Sequence, residues 1–305
     1  MFDILEKESI CYQYFADKQI KNREELRLSL KTDSIPGLNQ GFIETIFANY
    51  KKEVLNAPKI KEIHPGNTKI ICINDLHIPF HDINATSLCF EFIKEQQPNY
   101  LVLNGDIIDC YWESTFIKNP NHHTYLQEEC DAFYKLFHSL KKYIPNTKII
   151  YINGNHEDRI KRETWKNTAF FGVKSLEIPN LLRFDKLNIE FQPTRKIINN
   201  FIFTHGNAAR KDSSYSAKAE LINHNCHSGI SGHTHRLGGF NQTSMDEVSS
   251  WYENGCLCTL NPEYTKEEPN WQQGFGLLDQ INGMTFFHPI NYTQGCFTYN
   301  GVLYK

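Results

Sequence analysis

Five short apolar runs, each ending in a cluster of Asp, Asn, His or Gly, constrain this chain more than any other feature. The first is Lys69-Ile-Ile-Cys-Ile-Asn-Asp75, continued by Leu76-His77. The second is Tyr100-Leu-Val-Leu-Asn-Gly-Asp106, with Asp109 three residues on. The third is Thr147-Lys-Ile-Ile-Tyr-Ile-Asn-Gly-Asn155, followed by His156-Glu157. The fourth is Asn200-Phe-Ile-Phe-Thr-His205-Gly206, and the fifth is Ser228-Gly-Ile-Ser-Gly-His233-Thr-His235. Runs this short and rich in β-branched residues read as buried strands.

Between the runs the pattern changes period. Ala85 to Gln97 puts Leu88, Phe92 and Ile93 on one side, and residues from about 124 to 143 form a longer helix. Alternating strands and helices predict parallel β-α-β units, hence an α/β fold with helices covering the sheet. After Glu190 the chain becomes strand-rich, interrupted by one helix at about 214 to 225. Residues 1–66 differ. Two amphipathic stretches, Ile20 to Leu30 and Phe42 to Lys52, are broken by Pro36-Gly37 and closed by Pro65-Gly66. They read as a helical N-terminal segment, an arm or a small helix-turn-helix-like module, ahead of a main domain at 67–305.

Composition removes several function classes. With 40% hydrophobic and 22% charged residues the chain is globular, and its net charge of −3 argues against wholesale coating of nucleic acid. A local basic groove stays open. No apolar run reaches the ~18 residues that cross a bilayer, so no membrane partner is expected. The opening MFDILEKESI lacks a basic, apolar leader. Nine scattered Cys, with only Cys256 and Cys258 close together, read as reduced thiols. A cytoplasmic location is the expectation.

In open α/β sheets ligands sit beyond the carboxyl ends of the strands. Five polar strand ends therefore converge on one site. Carboxylate and imidazole without thiolate suit Mn, Fe, Zn or Co, and the Gly residues before Asp106, Asn155 and His233 give the backbone room. Each fragment alone is weak; all in this order, each after a strand, point to a metal site.

In this order the runs D-x-H, G-D-x-x-D, G-N-H-E, H and G-H-x-H resemble the calcineurin-like metallophosphoesterases over residues 69 to about 240. The resemblance implies a four-layer α/β/β/α sandwich and two divalent metal ions, Mn in vitro, with Fe, Zn, Co or Ni as alternatives. It implies that Asp75, His77 and His235 hold one metal, that Asn155, His205 and His233 hold the other, and that Asp106 bridges. It makes His156 the catalytic histidine and Asp109 the acid that orients it. Two cations ~3.5–4 Å apart would activate a shared water for in-line attack on phosphorus, and His156 would protonate the leaving oxygen.

Departures narrow the substrate. The phosphoprotein phosphatases of the superfamily carry Arg directly after the second Asp of the second motif; Cys110 stands there, followed by Tyr111 and Trp112. The double-His ending resembles the nuclease and phosphodiesterase branches. The expected substrate is a phosphodiester, nucleotide or nucleic acid. The alternatives are a phosphomonoesterase or protein phosphatase, and a non-catalytic binding protein on the same fold. Asn207, Arg210 and Lys211, close after His205, are candidates to meet phosphate oxygens. Tyr111, with Trp112, His122 and His123, is the candidate base-stacking group, against the alternative of packing on a neighbouring helix. Trp271-Gln-Gln-Gly-Phe275 is similar to a segment of some phage and bacterial members and reads as a core strand with a Gly turn.

Overall fold

The computed structural model describes residues 10–12, 14–15, 18–32, 35, 38–50, 67–245, 248–265 and 269–305. In the first part, helices α1 (Arg23–Thr32) and α2 (Gln40–Tyr50) fall where the amphipathic stretches predict them. Asn22 caps α1 by accepting from the N–H groups of Glu24 and Glu25, and Glu25 reaches back to the Lys21 N–H. Phe15, Leu26, Ile43, Ile46, Phe47 and Tyr50 close a small core of their own. The Pro65-Gly66 break lies outside the described residues.

The rest forms two sheets packed face to face. The first has the order β11-β10-β1-β2-β3-β4, built from β1 (Thr68–Ile73), β2 (Tyr100–Asn104), β3 (Lys148–Ile152), β4 (Ile189–Gln192), β10 (Gly274–Ile281) and β11 (Met284–Asn291). Strands β1 to β4 are parallel, while β10 pairs antiparallel with β1 and with β11. The second sheet has the order β5-β6-β7-β9-β8, from β5 (Arg195–Ile198), β6 (Phe201–Thr204), β7 (Gly229–Ser231), β8 (Leu237–Thr243) and β9 (Val248–Asn254). A hairpin of β12 (Phe297–Tyr299) and β13 (Val302–Tyr304) completes the strands.

Side-chain alternation explains the layers. Along β1 to β3, Ile71, Ile73, Leu101, Leu103, Ile149 and Tyr151 point to one face, where α3 (Ile83–Gln96) and α4 (Leu126–Tyr143) pack on them. Ile70, Cys72, Val102, Ile150 and Ile152 point to the other, against Phe201, Phe203 and Ile230 of the second sheet. Each strand is buried on both faces and therefore reads as a continuous apolar run. On the far side of the second sheet, Ile202 and Trp251 meet Ala217 and Leu221 of α8 (Ser213–Asn223). The result is helix, sheet, sheet, helix. In α4, buried Cys130, Phe133, Tyr134, Phe137 and Leu140 recur at helical spacing, and truncating a core Phe such as Phe137 to Ala costs ~3–5 kcal/mol.

Three α-helices were not anticipated. Helix α5 (Asp158–Lys166) follows β3 directly and buries only Ile160. Two single-turn helices, α6 (Ile178–Leu181) and α7 (Phe184–Leu187), lead into β4. The antiparallel β10–β11 edge turns on Asn282-Gly283, where positive φ at both residues makes a type I′ hairpin. No helix among the described residues is long and apolar enough to cross a membrane.

Candidate metal centre

The site forms at the carboxyl ends of β1, β2, β3, β6 and β7. Asp75 and His77 follow β1, Asp106 and Asp109 follow β2, Asn155 and His156 follow β3, His205 ends β6, and His233 and His235 follow β7. Asp75, His77, Asp106, His233 and His235 all have positive φ, between 49° and 70°. The loops turn back sharply after each strand, and that turn aims these side chains at a common centre. Gly154 is needed for a different reason, since a Cβ there would run into the Asp106 carboxylate.

One half of the centre is Asp75, His77 and His235, with 0%, 1% and 6% of their surfaces exposed. The Nε2 atoms of His77 and His235 are 3.0 Å apart, and they lie 3.6 and 3.1 Å from Asp75 Oδ1. That oxygen is buried and has no hydrogen-bond donor. One proton between the two nitrogens still leaves the carboxylate oxygen unpaired, whereas a cation among the three satisfies all of them. The residues present therefore fit a metal ion. The second half is Asp106, His205, His233 and Asn155. His205 Nε2 is 3.1 Å from Asp106 Oδ2 and 3.1 Å from Asn155 Oδ1, which also lies 2.7 Å from His233 Nδ1. Asp106 Oδ2 faces both halves, 3.9 Å from His77 Nε2 and 3.1 Å from His205 Nε2. Two His/Asp clusters, Asp75-His77-His235 and Asp106-His205-His233, could each hold a metal ion.

The electrostatics ask for positive charge. Burial alone would raise the pKa of Asp75 and Asp106, but the surrounding imidazoles hold both well below the carboxylate range. Burial would likewise lower His205 and His235. The adjacent carboxylates win and push them up to about 10 and about 9. His233 moves the other way, lowered by burial and by the charge of His205.

His156 stands beside the centre, its Nε2 3.8 Å from Asp106 Oδ2. Its Nδ1 is 2.8 Å from the Asp109 carbonyl oxygen and 3.2 Å from Asp109 Oδ1. The same carboxylate lies 2.9 Å from His77 Nδ1, so Asp109 serves both rings. Burial would raise Asp109, yet hydrogen bonds from His156 and His77 hold it far below its usual range. Among the expected phosphate contacts, Asn207, Arg210 and Lys211 are exposed on the loop after His205. Tyr111 is only 4% exposed. Its ring packs 4.0 Å from that of His122, and its hydroxyl accepts from the Asn119 N–H. The Tyr111 ring is thus taken up by packing, the alternative to base stacking. Trp112 stacks on Tyr125, and His123 is exposed.

Four residues were given no role at the site by the sequence. Arg159, on the first turn of α5, places Nη2 2.8 Å from His156 Nε2 and donates through Nη1 to the Asp109 carbonyl. Its signal was the i, i+3 spacing from His156 across a helix start. Glu157, buried, accepts from the N–H groups of Gly154, Asp106 and Ile107 and from the Tyr151 hydroxyl, tying two ligand loops together. Cys258 lies 3.7 Å from His235 Nδ1, and Trp271 packs edge-on to the His235 ring at 4.2 Å. Sequence reasoning took the C-x-C pair as reduced thiols and the Trp271 segment as a core strand, and gave neither a place beside a ligand.

Comparison with known proteins gives relatives of low identity and one family. Over 229 residues the chain is 26% identical to the "Gene 54 protein" of Mycobacterium phage L5, covering 69% of this chain and 88% of that one. The corresponding protein of Mycobacterium phage D29 is also 26% identical, over 233 residues, with the same coverage of each. Among solved structures, vacuolar protein sorting 29 of Cryptosporidium parvum is similar at a TM-score of 0.43 and 15% identity, covering 77% of this chain and 96% of that one. A purple acid phosphatase from yellow lupin is similar at 0.46 and 9% identity, covering 76% and 53%. The sequence model of the calcineurin-like phosphoesterases matches residues 68–237, the stretch from β1 through the last two imidazoles, and the chain belongs to that family.

Proposed function

We propose that the protein is a metal-dependent phosphoesterase that hydrolyses a phosphate ester, with a phosphodiester of a nucleotide or nucleic acid as the favoured substrate. The observation that carries this reading is the convergence of six N/O ligands around Asp106, with His156 and Arg159 at the rim. In this reading Asp75, His77 and His235 hold one divalent ion, Asn155, His205 and His233 the other, and Asp106 both. When bound, the ions supply an activated water and neutralise charge on the phosphate oxygens.

The chain's own groups do the rest. A guanidinium only donates, so in the resting site His156 Nε2 accepts from Arg159, and the ring proton on Nδ1 goes to the Asp109 carbonyl. Arriving phosphate oxygens draw Arg159 onto themselves, which frees the Nε2 lone pair to take up a proton from solvent and pass it to the leaving oxygen. Asp109 keeps the ring in register. Arg159 thus supplies, from a helix, the guanidinium that Cys110 does not, and Asn207 and Arg210 are left as outer contacts. The preference for a diester then draws on the double-His ending rather than on a missing clamp.

The test compares bis-p-nitrophenyl phosphate with p-nitrophenyl phosphate, each with Mn and with EDTA. Metal-dependent hydrolysis that His156→Ala lowers by on the order of 10²–10⁴-fold is expected, with a smaller loss for good leaving groups. No metal-dependent turnover on either ester would favour a binding protein on the same fold. A tenfold preference for the monoester would refute the diesterase reading, and its loss in Arg159→Ala would say why.

A further inference from the structure

Just past β9 the chain returns to the sealed side of the metal centre as Cys256-Leu257-Cys258. The segment is extended: Cys256 bridges Gln273 and Cys258 bridges His81. Residues two apart on an extended chain point the same way, so both thiols leave one side while Leu257 turns into the main core. Cys72, Cys89, Cys110 and Cys130 are also buried, among apolar side chains. Cys256 and Cys258, each 0% exposed, stand outside those clusters and face a metal ligand instead. Cys258 Sγ is 3.7 Å from His235 Nδ1, and the two sulfurs and one nitrogen of His235 all lie within 4.8 Å of one another. The backbone holds them there. The Cys256 N–H donates to the Gln272 carbonyl, the Cys256 carbonyl accepts from the Gly274 N–H, and Gln273 Nε2 donates to the Cys258 carbonyl.

Two thiols and an imidazole are a different donor set from the carboxylates and imidazoles of the centre. Thiolate selects soft and borderline ions such as zinc. Around a tetrahedral zinc, Zn–S of ~2.3 Å and Zn–N of ~2.0 Å put sulfur and nitrogen ~3.5 Å apart, close to the 3.7 Å already present. The Gln272 carbonyl oxygen, 3.6 Å from Cys256 Sγ, offers a fourth donor. His235 belongs to both sets. Its Nε2 lies 3.1 Å from Asp75 Oδ1, and its Nδ1 faces the sulfurs. A neutral imidazole has one lone pair and one N–H. When Nε2 holds the centre's ion, the ring proton sits on Nδ1 and points at Cys258. When Nδ1 holds an ion, the proton sits on Nε2 and goes to Asp75 Oδ1, the buried oxygen that otherwise has no donor. One ring serves one ion at a time.

We propose that Cys256, Cys258 and His235 Nδ1 form a further metal site for a thiophilic divalent ion of the zinc class, and that filling it takes His235 from the sealed half of the centre and stops hydrolysis. Binding releases the two thiol protons to solvent and transfers no electrons. The site stands on its own donors, whereas the effect on hydrolysis rests on the phosphoesterase reading.

The experiment uses the full chain, reduced with a phosphine, loaded with Mn and given one equivalent of zinc. Zinc K-edge X-ray absorption should show sulfur at ~2.3 Å in the wild type, and Cys256→Ser should lose at least half of that shell. A shell of nitrogen and oxygen alone in the wild type, with zinc at the carboxylate-imidazole ligands, would overturn the site without recourse to any variant. Cadmium in place of zinc should give an ultraviolet sulfur-to-cadmium charge-transfer band that Cys256→Ser weakens. Hydrolysis of bis-p-nitrophenyl phosphate with Mn alone should be unchanged in Cys256→Ser, and the zinc concentration that halves it should rise at least about tenfold. Equal inhibition by zinc in the two proteins would overturn the competition for His235. If Mn supports no hydrolysis in either protein, the phosphoesterase reading fails, and the sulfur shell still decides the zinc site.

Discussion

The two halves of the metal centre share ligand chemistry but differ in setting. Asp75, His77 and His235 are sealed in the protein, and each has a supporting partner. The Asn74 amide donates to Asp75 Oδ2 at 2.6 Å, Asp109 meets His77, and the Cys258 thiol faces His235. In the other half, Asn155 and His233 are half-buried, and one neutral amide oxygen serves two imidazoles. Burial lowers the local dielectric and a private carboxylate adds charge, so the sealed half should hold its cation more tightly and release it more slowly. On that expectation the sealed half keeps its ion and the open half exchanges its own.

The largest effect that can break this contrast is at the shared ligand. Asp106→Asn should remove both ions and lower kcat/KM for bis-p-nitrophenyl phosphate by on the order of 10³-fold, about 4 kcal/mol. Full metal content by elemental analysis would mean the halves are independent. Next comes the direct comparison. His77→Ala should lose the tight ion and most activity, whereas His233→Ala should retain about one ion per chain after gel filtration; equal retention in the two variants would erase the distinction.

A pH effect tests how far burial reaches behind the sealed half. Glu129 is fully buried under the Cys110–Tyr111 backbone, accepting both N–H groups, and burial with the charge of Asp109 pushes its pKa up to about 9 from 4.5. The folded chain therefore keeps a proton that the unfolded chain gives up. Its contribution is full below the unfolded value and falls as pH rises to about 9, by at most ~1.4 kcal/mol per pH unit. Urea unfolding between pH 5 and 9 should show that slope, and Glu129→Gln should flatten it. The smallest effect is at Cys258. Its replacement by Ala should weaken the sealed ion ~10-fold and leave the open one unchanged in competitive chelator titrations.

How much of this was legible depends on how local the cause is. Strands β1, β2 and β3 could be read because both their faces are apolar, and the ligands could be read because each lies within a few residues of a strand end. Helix α5 could not, because Asp-Arg-Ile-Lys-Arg-Glu-Thr-Trp-Lys buries one side chain and shows no apolar stripe. With it went Arg159. Tyr111 stayed open between stacking and packing for the opposite reason. Adjacency to Asp109 is local, but its burial depends on Phe80, His122 and Asn119, which only the folded chain assembles.

The left-handed backbone at the ligands has a consequence for how such a chain can change over generations. An L-residue in that conformation gives up roughly 1–2 kcal/mol, and five of the ligands stand there, against a total stability of only ~5–15 kcal/mol. Glycine at 75, 77, 106, 233 or 235 would relieve the strain and delete a ligand in the same step. Drift toward stability therefore runs against the site. A descendant freed from holding ions has an easy path to a sturdier, inert fold, and the Asp and His at these five positions are held where the backbone alone would favour something else.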